Sequence, residues 1–60
     1  MNDNLPNDPI FLLSVVNMKL RDFYKDLDTL CQDLNVNKED LIEELADIDY
    51  EYDVNANQFV

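Results

Sequence analysis

Four acids alternate along DIDYEYD (residues 47–53): Asp47, Asp49, Glu51 and Asp53. Spacing of this kind resembles a calcium loop, which sets oxygen ligands at every second position ahead of a turn glycine and a closing bidentate acid. The departures fall where they matter. Tyr52 stands at the place of the turn glycine, and Gln58 at the place of the closing acid. Acids at every second residue are also what the wet face of a strand yields. The solvated strand is the preferred reading, with weak, nonspecific divalent binding left open and no metal site assigned.

Catalysis has little to use. The chain lacks histidine, the side chain that works as a base near neutral pH. Cys31 is the only cysteine and falls on the inner face of an amphipathic stretch, where a thiol is usually an inert core residue. Ser14 sits inside a helical pattern with no base in sequence reach. Glycine is absent, which removes glycine-rich phosphate loops. No catalytic residue and no cofactor are expected, and the chain is read as a non-enzyme.

The net charge is −10, and it is unevenly placed. Residues 1–25 hold three acids and three bases; residues 26–60 hold eleven acids and one base, Lys38. A field of that sign repels phosphate and anionic lipid and attracts cations or basic protein surfaces. The one basic cluster is Lys19, Arg21 and Lys25. Cations there suit the C-terminus of a helix, and Arg21 could pair with acids on neighbouring helices. Three such charges are too few for nucleic acid. The apolar run Pro9 to Val16 is too short to span a bilayer and lacks the flanks of a signal peptide, so a cytoplasmic location is expected.

These residues need a scaffold, and 60 residues allow one domain. Apolar residues make up 47% of the chain at regular spacings, which argues against disorder. With no disulfide pair and no histidine, the fold must rest on packing, helped by self-association or a partner. Left-handed backbone positions must fall to Asn or Asp.

Residues 1–7 are expected to be a flexible segment, with Leu5 and Pro6 able to dock on a single domain at 8–60. Asp8 caps a first helix with Pro9 at its first position, running to about Tyr24. Leu13, Val16, Leu20 and Phe23 mark its inner face, widened by Leu12, Val15 and Met18. So broad a stripe predicts a central helix covered on more than one side. A second helix follows its cap Asp26 to about Leu34, with Leu27, Leu30, Cys31 and Leu34 inside and a left-handed Asn35 ending it. Val36 is a peg in the turn. Asn37 caps a third helix with Leu41, Ile42, Leu45 and Ile48 inside; Glu39, Asp40, Glu43, Glu44 and Asp47 point out. Asp49 is the expected left-handed residue after it. From Tyr50 the period changes to two, and a short hairpin is predicted with its turn at Val54-Asn55-Ala56. Asn17 interrupts the apolar part of the first helix; it either bonds across to the hairpin backbone or marks the edge of the buried face.

Leu27 to Leu45 reads as helix, tight turn and helix, with a small residue at Cys31 and pegs at Val36 and Leu41. With the hairpin behind it, the layout is that of a miniature winged helix; a plain three-helix bundle is the alternative. The acids on the third helix argue against DNA contact, which depends on Lys and Arg at the phosphates.

Leu5-Pro6 with Asp8-Pro9 leading into LLSVVNMKLRDFY (residues 12–24), DLDTLC (residues 26–31) and YEYDVNANQF (residues 50–59) together resemble a family of short bacterial proteins, domain-of-unknown-function family 4250. That family's pattern has glycine where Asp49 stands and serine where Asp26 stands; both substitutions preserve the backbone or capping role. The resemblance implies a bacterial, cytosolic protein. It supplies no activity, ligand or catalytic residue.

The expected fold is mainly α: a three-helix bundle with helix-turn-helix-like second and third helices and a short C-terminal hairpin. The expected function is a non-catalytic protein-interaction module, acting on a protein partner or on itself, with no direct nucleic-acid binding and no membrane. Tyr24, Tyr50, Tyr52 and Phe59 are the candidate anchors, since aromatics with a polar tip dominate interface energetics. The opposing reading places at least two of them in the core. The alternative function is a nucleic-acid-linked regulator, either a degenerate winged helix acting through a partner or an acidic charge mimic; an enzyme accessory role is a distant third.

Overall fold

The structure, a computed structural model, describes residues 5–60. The first four residues of the segment expected to be flexible lie outside the described residues; Leu5 packs against the core. Three helices follow, α1 (Pro9–Asp22), α2 (Leu27–Leu34) and α3 (Lys38–Ala46), then strands β1 (Tyr52–Asp53) and β2 (Gln58–Phe59).

Each helix start is made locally. The Asp8 carboxylate accepts from the Ile10 amide at 3.2 Å, Asp26 from Thr29 at 2.8 Å, and Asn37 from Asp40 at 3.0 Å. These bonds satisfy amides that the first turn cannot pair. Two helix ends share one device without glycine. Asn35 (φ 59°) closes α2, with the Val36 amide donating to the Cys31 carbonyl and the Asn35 amide to Gln32. Asp49 (φ 68°) closes the turn after α3, with Tyr50 donating to Leu45 and Asp49 to Ala46. Both are Schellman ends.

The core is Leu12, Val16 and Leu20 of α1, Leu27, Leu30 and Cys31 of α2, Leu41 and Leu45 of α3, and Phe59 of β2. Ile42 and Ile48 pack against it half-buried. On α1 this corrects the expected stripe. The buried line steps by four through Leu12, Val16 and Leu20; Leu13 is half-buried, and Met18 and Phe23 are exposed. The helix stops at Asp22, and Phe23 takes φ −125°, so its ring leaves the helical face and lies 5.8 Å beneath the Lys19 ammonium. The helix expected to run to about Tyr24 therefore ends two residues earlier.

The strands pair antiparallel, Tyr52 with Phe59 and Asp53 with Gln58. Glu51 and Val60 exchange both backbone hydrogen bonds beyond them, at 2.9 and 2.8 Å. A hairpin this short is weak by itself, and α1 holds it. The Asn17 side-chain amide donates to the Phe59 carbonyl at 3.1 Å and accepts from the Phe59 amide at 2.8 Å, so it bonds to the hairpin backbone. Asn57 (φ 54°) works from the other side: its Nδ2 donates to the Leu20 and Tyr24 carbonyls, both at 3.1 Å.

Candidate interaction surface

The four aromatic candidates are treated very differently by the fold. Phe59 is 2% exposed, a core side chain packed with Tyr52 at a ring separation of 5.5 Å. It presents no surface, because β2 lies directly on α1 with Asn17 holding its backbone. Tyr52 is half-buried, and its hydroxyl donates to Asn57 Oδ1 at 2.6 Å. Tyr24 is half-buried, and its hydroxyl donates to Asp33 at 2.5 Å, a bond that holds the phenol pKa above its ordinary value. Tyr50 is the most open of the four, at 36% exposure. The hairpin therefore spends its aromatics inward, and the four do not form one exposed patch.

The apolar residues left outside lie on α1. Ile10 is 63% exposed and Phe11 60%, with Met18 also exposed. Ile10, Ser14 and Met18 step by four along the helix, and Phe11 lies beside them, so they share the face turned away from Leu12, Val16 and Leu20. The helix is thus covered on one side by α2, α3 and β2 and left open on the other. Broad apolar content predicts cover on more than one side; among the described residues the elements that pack on α1 lie on one side of it. The signal was present in the sequence as two apolar stripes on one helix.

Charge surrounds this face unequally. Asp8 is at its start. Arg21 is near its end, pairing with its neighbour Asp22 through Nε at 3.0 Å and Nη2 at 2.9 Å, and not with another helix. That fork raises the guanidinium pKa and lowers that of Asp22. Glu39, Asp40, Glu43 and Glu44 on α3 and Asp47 at its C-cap are all exposed, as expected. Lys38, the one base of the second half, bonds to Asp28 at 2.8 Å, which holds its ammonium pKa above the usual lysine value. The outer face of α3 is thereby left to its acids.

Cys31 is 5% exposed, and burial pushes its thiol pKa up, away from the reactive thiolate. Among the described residues no three acids or cysteines converge as a metal site would require. Asp53 of the alternating run accepts from the Asn55 amide at 2.9 Å and so shapes the hairpin turn. No described helix is long and apolar enough to cross a membrane. A shallow depression of about 440 Å³ lies between Leu5-Pro6 and α3, with Asp40 and Glu44 at its edge.

The residues that carried the resemblance are those that hold this scaffold: the Asp8-Pro9 start, the α2 cap region and the hairpin. The family of domain of unknown function DUF4250 matches residues 6–59. The chain belongs to that family. The match spans all three helices and both strands. No curated protein and no solved structure matches the chain.

Proposed function

We propose that the protein is a non-catalytic interaction module that binds protein through the open face of α1. One observation carries the reading: Ile10 and Phe11 stand more than half exposed, with Met18 beside them, on a helix whose opposite side is the centre of the core. Leaving large apolar groups in water forgoes roughly 1.5–3 kcal/mol per side chain. A contiguous apolar patch with a polar surround is the mark of a binding surface.

The charge pattern narrows the partner. The acid-rich α3 face would repel a duplex, so direct nucleic-acid binding is not part of the reading. The lack of histidine and the buried Cys31 support a role without chemistry.

The test is affinity capture from the cell that makes the protein, comparing the natural chain with Phe11→Asp. Phe11 is 60% exposed and outside the core, so the variant is expected to fold. The expected result is a bound protein that the variant loses. Capture of the same proteins by both chains would overturn the reading.

A further inference from the structure

We draw no further inference here: the strongest candidate, the shallow depression between Leu5-Pro6 and α3, is marked only by the exposed acids Asp40 and Glu44 at its edge, and no second observation in the structure shows what would fill it.

Discussion

The side-chain amide of Asn17 accepts from Phe59 and donates to it, across 42 residues of sequence. Removing it leaves a strand amide and a carbonyl without their partners in a part-buried place. Asn17→Ala should therefore cost about 1–3 kcal/mol, an unsatisfied-group penalty rather than the smaller net value of a hydrogen bond. On a domain of this size that lowers Tm by roughly 4–24 °C, readable by thermal circular dichroism. An unchanged Tm would mean that the pairing does not hold the hairpin. At Asp26, the bond from Thr29 lowers the carboxyl pKa from its ordinary 3.8. A depressed carboxyl adds stability above its unfolded value and loses it as pH falls through the folded one. Asn caps as well as Asp but does not titrate. The advantage of the natural chain over Asp26→Asn should thus shrink between about pH 5 and about pH 3, measured as the difference in urea midpoints.

At the scale of elements, the turns rather than the helices are under conformational constraint. Asp49 and Asn35 hold left-handed backbone with a Cβ in the way. Glycine removes that clash, although it loses more freedom on folding. The clash outweighs the entropy at a position fixed by two Schellman bonds, so Asp49→Gly should stabilise by about 0.5–1 kcal/mol over Asp49→Asn. Comparing those two variants removes the same charge from both and isolates the backbone. Equal urea midpoints would show that the left-handed turn carries no penalty. The hairpin shows the opposite dependence. Its two-residue strands draw their stability from α1 through Asn17 and Asn57 and have little of their own.

For the whole molecule, charge opposes compaction. Eleven acids against one base share residues 26–60, and that base is already committed to Asp28. Bringing these elements together raises their mutual repulsion. Salt at about 0.5 M shortens the screening length to a few ångströms and should raise Tm by several degrees over about 10 mM salt. A Tm that falls with salt would show that attractive pairs such as Lys38–Asp28 outweigh the repulsion.

The amino-acid order by itself determined the helix starts at Asp8, Asp26 and Asn37, the left-handed ends at Asn35 and Asp49, the acidic outer face of α3 and the membership of the family. These features depend on groups within a few residues of one another, or on composition, so local spacing suffices to read them. Tertiary structure decided which α1 stripe would be covered. Leu12–Val16–Leu20 and Ile10–Met18 are both apolar, and only the arrival of α2, α3 and β2 distinguishes them. It also decided that Phe59 belongs to the core and that Asn17 grips its backbone. Those contacts join residues far apart in the chain, and their stability comes from surface buried between elements, which no local pattern contains.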